Sequence, residues 1–408
     1  MTHRNSFSPD QQGALAAITQ WFVAARRGRS PQVFYLAGPA GTGKTTIARE
    51  VPELLGARSL FAAFTGKAAQ VLRSKGCEPA STLHSLIYIR VSSAAELRLP
   101  VVQRRLRQEL LSPSEHRALL IEERELKLQL SQQQWIVNPD SDLAAADLLI
   151  CDEVSMVNDD LALDLLSFGV PILVLGDPEQ LPPVSGGGYF TARIPDYTLT
   201  QVHRQAGESP VLSLATRIRE GGRLGPFDRQ YLDVDALLDH DQVLCGKRLT
   251  RWQLIGDMRE RRRRPFGLPV PLDKIMCLRN DREQGIYNGQ LFEVLHVAAA
   301  ARPGFHALHV RTDTDEILRV DAPPGPFISD QEERAATEQR RRLPAGAGLF
   351  TFADAITVHK SQGSEWRRVA LIDEASIFSR DPDTPRRWLY TGITRASEVC
   401  SIGSGWRA

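Results

Sequence analysis

A G-x-x-x-x-G-K-T pattern constrains this chain more than any other feature. It reads Gly38-Pro39-Ala40-Gly41-Thr42-Gly43-Lys44-Thr45, directly after the apolar run Val33-Phe34-Tyr35-Leu36-Ala37 and ahead of a helix-compatible stretch. Small residues here let successive backbone N–H groups close around a β-phosphate at the positive end of the following helix. Lys44 would neutralise the β and γ oxygens, the Thr45 hydroxyl would ligand Mg²⁺, and Thr46 beside it would belong to the ATP-binding set. Such a strand–loop–helix unit predicts a nucleoside triphosphate site.

A second group must hold the metal and activate water. The run Asp147-Leu148-Leu149-Ile150-Cys151 leads into Asp152-Glu153-Val154-Ser155-Met156, an apolar strand ending in two acids. Asp152 would hold Mg²⁺, directly or through water, and Glu153 would orient the attacking water. Asp373-Glu374, after Val369-Ala370-Leu371-Ile372, looks alike, and context separates the two. Asp152 precedes another apolar strand, Ile172-Leu173-Val174-Leu175, which ends in Gly176-Asp177-Pro178-Glu179-Gln180-Leu181-Pro182-Pro183. Asp152 and Glu153 are therefore expected to be the catalytic pair.

Further segments follow in a fixed order. They are Phe64-Thr65-Gly66-Lys67-Ala68-Ala69, Thr82-Leu83-His84-Ser85, Gln201-Val202-His203-Arg204-Gln205, Ile356-Thr357-Val358-His359-Lys360-Ser361-Gln362-Gly363-Ser364-Glu365 and Tyr390-Thr391-Gly392-Ile393-Thr394-Arg395-Ala396. With the phosphate loop and the two acidic segments, this series resembles the motifs of superfamily 1 helicases. It is most similar to the superfamily 1B DNA helicases, the RecD-like and Dda-like group, over residues 7–396.

The resemblance implies roles. Phe7-Ser8-Pro9-Asp10-Gln11 looks like the family's Q motif, in which the Gln11 amide, one donor and one acceptor, would pair with the adenine edge and favour ATP. Gln180 would sense the γ-phosphate. Arg204 and Arg395 would reach it from the second motor domain, where a permanent charge on a planar fork suits two oxygens, and Glu365 would approach the ribose. Phe64, Thr65, Lys67, Thr82, His84, Thr357, His359 and Lys360 correspond to positions on the single strand, where hydroxyls and ring N–H groups donate to phosphates and position without reading sequence. Phe64 and Trp366 could offer stacking faces. Phe64 stands where the 1B group usually has proline, as in the 1A pattern.

The implied fold is α/β: two RecA-like P-loop motor domains, with a helical insertion in the first and a small SH3-like β-barrel insertion in the second. Residues 1–88 and 135–190 would form the first motor, with 89–134 as the inserted 1B pin or wedge domain. Residues 191–271 and 346–408 would form the second, with 272–345 as the 2B insertion. The residues agree with this outline. The stretch 89–134 is rich in Arg, Glu, Leu and Gln and reads as amphipathic helix, with no obvious β pin. Short alternating segments at 274–278, 291–297 and 305–310, with a turn at Tyr287-Asn288-Gly289-Gln290, suggest a small barrel. The flanking runs Arg261-Arg262-Arg263-Arg264 and Arg340-Arg341-Arg342 suit solvated faces or DNA backbone contacts.

Composition bounds the partners. Fifty basic against 49 acidic residues leave a net charge of +1, so any nucleic-acid affinity must come from a locally basic groove. Five scattered cysteines lack a C-x-x-C pair, which argues against a zinc site and for a reducing compartment. No apolar run approaches ~18 residues, and the start lacks a signal peptide's apolar core. The expectation is a monomeric, cytoplasmic enzyme of a bacterial or phage-infected cell. It would use ATP and Mg²⁺ on single-stranded DNA and forks, move 5′→3′, and serve replication, recombination or repair. A superfamily 1 RNA helicase and an ATP-gated DNA-binding mediator without unwinding remain the alternatives.

Overall fold

A capping box starts the first helix. The Ser8 side chain accepts from Gln11 N, the Gln11 side chain accepts from Ser8 N, and Pro9 fills the first helical position of α1 (Pro9–Ala25). The computed structural model describes the chain apart from residues 1–6, 91–93, 107–111, 132–134, 183–187, 202–208, 282–283, 285, 313–314, 341–342, 345, 379–380, 382, 405 and 407–408.

Strands and helices then alternate: β1 (Val33–Ala37), α2 (Lys44–Leu55), β2 (Ser59–Ala63), α3 (Gly66–Ser74), β3 (Ala80–Thr82) and α4 (Leu83–Ile87). After an excursion come β6 (Leu148–Asp152), α7 (Asp159–Leu166), β7 (Ile172–Gly176) and β8 (Tyr197–Thr198). These strands form one parallel sheet in the order β3-β2-β6-β7-β1-β8. Every residue of β1 and β7 is buried, which is why both read as unbroken apolar runs. Alternate residues serve opposite faces: Phe34 and Leu36 pack in one cluster with Ile47, and Val33 and Tyr35 in another with Leu161. Residues 197–198, expected in the second motor domain, instead complete the first sheet, because Leu36 and Ala37 offer them a free strand edge.

The excursion is a stem, β4 (Tyr88–Arg90) against β5 (Trp135–Val137), carrying helices α5 (Ala94–Leu106) and α6 (Pro113–Ser131). The two helices pack around their own small cluster of Val102, Leu119 and Leu126. Arg98 pairs with Glu122 at 2.7 Å across them.

The second half holds two further sheets. Helix α8 (Pro210–Arg219), β9 (Arg229–Gln230), α9 (Val234–Leu238), β10 (Gln242–Cys245) and α10 (Arg248–Arg261) come first. Then β11 (Lys274–Cys277), β12 (Leu291–Ala299), β13 (His306–Arg311), β14 (Ile317–Ala322), α11 (Asp330–Glu338) and β15 (Phe350–Phe352) interrupt them. The first group resumes with β16 (Ala355–Thr357), α12 (Val358–Ser361), β17 (Trp366–Ile372), α13 (Thr384–Ile393) and β18 (Ala396–Gly403). The parallel sheet runs β16-β10-β17-β18-β9, and the interrupting sheet is antiparallel, β14-β13-β12-β11-β15. Its fifth strand, β15, lies past residue 345, where the alternation of the sequence had suggested an end.

The arginine run at 261–264 is mostly neutralised within the fold. Arg261 pairs with Asp235 at 2.7 Å, Arg262 with Asp354 at 2.6 Å and Arg264 with Asp273 at 2.7 Å. Asp373, the second sequence candidate for an acidic site, pairs with Arg229 at 2.8 Å, and Glu374 accepts from the N–H groups of Gly246 and Lys247. Among the described residues no helix is long and apolar enough to cross a membrane.

One ion pair ties α10 to the antiparallel sheet. Arg259 and Asp273 are both fully buried and 2.8 Å apart, with the guanidinium 3.7 Å from the Phe352 ring centroid. Removing one partner strands a buried charge. Asp273→Ala should therefore lower unfolding stability by about 3–5 kcal/mol in urea titration, and Arg259→Met/Asp273→Leu should recover most of that loss.

Candidate nucleotide cleft and nucleic-acid channel

The loop at 38–45 leaves β1 while Gly38 N bonds to Gly176 O at 3.1 Å, so it begins beside the end of β7. Gly43 sits at φ 84°, and a side chain there would meet Gln11 Nε2 at 2.4 Å, so both conformation and space require glycine. Lys44 opens α2 and curls back, its Nζ donating to Gly38 O at 2.6 Å and Pro39 O at 3.0 Å. Ala40, Gly41, Gly43, Lys44, Thr45 and Thr46 line a cleft of about 1360 Å³. Gly38 and Thr42 are buried behind it, and the Thr42 hydroxyl donates to Pro39 O at 2.9 Å. The free N–H groups at the start of α2 make this wall suited to an anion.

Asp152 ends β6 on the same wall, and Glu153 follows at φ 55°, a left-handed conformation uncommon for its type that turns the chain at the strand end. Both line the cleft. They keep some solvent contact through it, yet surrounding protein excludes most water. Burial raises the Asp152 pKa, against the pull of Lys44, the Glu153 N–H and the Thr45 hydroxyl. Burial also raises that of Glu153, helped by the Asp152 charge and opposed by Arg395 and Lys44. Two carboxyls held this way have a strong electrostatic demand for added positive charge.

Gln180 faces the same space with its Oε1 buried and without a hydrogen-bond partner. Arg395, at the end of α13, comes from the other lobe. Its guanidinium donates to Thr391 O (3.0 Å), Ser364 O (3.1 Å) and Thr394 Oγ1 (3.1 Å), which hold it at the cleft edge with Glu365 nearby in the lining. The cleft thus brings together Lys44, Asp152, Glu153, Gln180 and Arg395. Arg204 lies outside the described residues.

Gln11 borders the cleft and is buried, its Nε2 donating to Thr42 O at 3.3 Å while Oε1 serves the cap. Its neighbour Asp10 was not singled out by sequence. Slight burial pushes its carboxyl up, but backbone N–H groups of Gln201 and Thr200 and the Tyr197 hydroxyl hold it lower overall. The bonds to Thr200 (2.8 Å) and Gln201 (3.1 Å) tie α1 to the segment that leads into the second lobe.

A second cavity of about 480 Å³ lies between the lobes. Phe64, Thr65, Lys67, Thr82 and His84 form one side, His359 and Lys360 the other. Thr65 and Thr82 accept from Ala68 N and Ser85 N as helix caps, and the hydroxyl of Thr65 thereby keeps its proton available to donate. The Phe64 and His84 rings meet edge-on at 5.6 Å. Burial lowers the pKa of both His359 and Lys360. Thr357 stands apart from this lining as the N-cap residue of α12. Trp366 lines the nucleotide cleft instead, its ring 5.2 Å from Lys67 Nζ, because β17 starts on that side. Sequence reading passed over Tyr287 and Asn288 as a mere turn. Both line this cavity, Lys360 Nζ donates to Asn288 Oδ1 at 3.3 Å, and Tyr287 packs so closely on Gly66 that a Cβ there would lie 1.9 Å from its ring.

The chain matches the AAA domain family model over residues 16–248, more than half its length, and the UvrD-like helicase C-terminal domain model over residues 352–402. It is 28% identical over 381 residues to the ATP-dependent RecD2 DNA helicase of Deinococcus radiodurans, covering 89% of this chain and 46% of that protein. It is 31% identical over 199 residues to the ATP-dependent DNA helicase dda of Enterobacteria phage T4, covering 45% of this chain and 37% of that protein. The chain therefore spans less than half the length of either relative. In fold it is similar to the Pif1 helicase from Bacteroides in complex with ADP-AlF3 and single-stranded DNA (TM-score 0.54, 18% identity, 98% of this chain and 93% of that one). The Pif1 helicase from Candida albicans is similar too (TM-score 0.52, 17% identity, 98% and 94%). With the phosphate loop, paired acids and facing arginine gathered in one cleft, the first of these matches shows that the chain belongs to the AAA domain family.

Proposed function

We propose that the protein is an ATP-driven DNA helicase that moves 5′→3′ along one strand as a monomer. The observation that carries this reading is the shared cleft, in which Lys44, Asp152, Glu153 and Gln180 of one lobe face Arg395 of the other.

In this reading the N–H groups before α2 and the Lys44 ammonium bind the phosphates, with Lys44 exchanging its two carbonyl partners for phosphate oxygens. Gln11 contacts the adenine and Glu365 the ribose. Glu153 orients water toward the γ-phosphate, and Gln180 uses its unpaired oxygen to sense it. Arg395, with Arg204, supplies positive charge from the second lobe, so the lobes close only when nucleotide is present. Thr45 and Asp152 fit a divalent cation, because their side chains already meet and the buried carboxylate is short of positive charge. Mg²⁺ there would neutralise phosphate charge; it typically takes one or two carboxylates beside phosphate and water oxygens.

The second cavity is the proposed path of the strand. Hydroxyls of Thr65 and Thr82, the rings of Phe64 and His84, and Lys67 face His359 and Lys360 across the lobe boundary. Closure would then shift one set of grips against the other. Thr357 would contribute from the N-cap position of α12, where its hydroxyl makes no bond to the helix. The antiparallel sheet acts as the SH3-like 2B domain, and the α5–α6 pair as the 1B wedge.

A duplex-unwinding assay tests the reading, using DNA and RNA duplexes with single-stranded tails of either polarity. ATP-dependent separation of DNA carrying a 5′ tail is expected. Unwinding that needs a 3′ tail overturns the direction, and failure on all substrates favours the non-unwinding mediator. Glu153→Gln should bind ATP and stay on DNA while hydrolysis falls by about 10²-fold or more, whereas Lys44→Ala should weaken ATP binding itself; normal turnover in Glu153→Gln contradicts its role. Because α5 and α6 have a core of their own, replacing residues 93–131 by a short Gly/Ser linker should spare DNA-stimulated hydrolysis and abolish unwinding. Each base-pair step costs about 1–2 kcal/mol to open, and without the wedge nothing rigid meets the junction. Retention of both activities removes the helices from the mechanism.

A further inference from the structure

Tyr390 is almost fully buried on α13, and its hydroxyl bonds twice to the opposite lobe. It accepts from Ala40 N, in the phosphate loop, at 3.2 Å, and donates to Asp177 Oδ2 at 2.8 Å. A hydroxyl has one proton to donate, so these two bonds fix its orientation. Asp177 directly follows β7, three residues before Gln180, and its other oxygen accepts from Glu179 N. One atom of the second lobe therefore touches two of the first-lobe segments that build the cleft.

The grip continues along the same helix. Thr391 Oγ1 accepts from Leu181 N at 2.9 Å, and Gln362 Nε2 donates to Leu181 O at 2.9 Å, so the residue after Gln180 is held on both sides by the second lobe. Arg395 in turn donates to Thr391 O. The path from Ala40 through Tyr390 and α13 to Arg395 is continuous and made of directional bonds that are buried or partly buried.

We infer that Tyr390 is a positioning residue that sets Arg395 and Gln180 against the phosphate loop, so that lobe closure and hydrolytic geometry change together. The inference deepens the motor reading and rests on it. The aromatic ring alone would fill the core between Ala40 and α13 without directing it; the hydroxyl adds the direction. In a buried site, loss of either bond leaves the Ala40 N–H or the Asp177 carboxylate without its partner.

Tyr390→Phe separates ring from hydroxyl. Three readouts are needed on the full chain: affinity for a fluorescent ATP analogue, steady-state ATP hydrolysis with single-stranded DNA, and the thermal midpoint. The expected result is nucleotide affinity and KM within about twofold of wild type and kcat reduced about tenfold, the split expected for a group that matters only in the closed, reacting state. Tyr390→Phe/Asp177→Ala should lose no more kcat than Asp177→Ala alone, because both changes cut one path. Unchanged kcat in Tyr390→Phe overturns the inference. So does a parallel fall of affinity, kcat and thermal midpoint, which marks a purely structural ring. If wild type itself neither hydrolyses ATP nor unwinds, the motor reading fails, and that outcome is distinct from wild-type activity with an indifferent Tyr390→Phe.

Discussion

The parallel pairing of Val33–Ala37 with Ile172–Gly176 is the constraint on which the rest depends. It brings the ends of β1 and β7 side by side, so the phosphate loop and Asp177 emerge at one edge of the sheet. β6 pairs on the other side of β7 and delivers Asp152 to the same edge. Strand ends are where open parallel sheets build sites, because the loops leave there with unpaired backbone groups. A one-residue slip in any of these strands would turn its buried side chains to the wrong face, so the packing that stabilises the sheet also fixes the cleft.

The same arrangement has an electrostatic cost. Asp152 and Glu153 are adjacent, largely enclosed and mutually repelling, and the left-handed backbone at Glu153 adds local strain. Lys44 and Arg395 offset part of this. A charge-neutral chain would be more stable at this point. The retained tension gives a phosphate-bound cation and a closing arginine something to relieve, which is how a ligand gains differential affinity for one conformation.

How much of this was legible in the sequence followed from distance along the chain. The first sheet announced itself through buried five-residue runs, and its site residues sit within a few positions of those strand ends. Residues 197–198 were misassigned because a two-residue strand has no periodicity to read. The arginine run looked like a surface or a DNA contact because Asp235, Asp354 and Asp273, which pair with it, lie 9 to 92 positions away. Trp366 was only one of two aromatics that could offer a stacking face, and strand direction carries it to the nucleotide side. Asp10, Tyr287 and Tyr390 were invisible for a common reason. Each acts on a partner in a separate lobe or connecting segment, and spacing reports only what an element does to itself.

Near-neutral net charge also has a physical consequence for the second cavity. A chain with net charge +1 has no broad field to hold a polyanion, so attraction must be local. Lys360 meets that need as an exposed cation on the cavity wall. It donates to the neutral amide of Asn288 at 3.3 Å. An entering phosphate would pair with that charge directly, at short range. Because Tyr287 and Asn288 come from the connection between β11 and β12 and Gly66 from the first lobe, that gain is available only while both halves stand against each other. On the proposed strand path, affinity for the strand would thereby be tied to the same lobe geometry that brings Arg395 to Glu153.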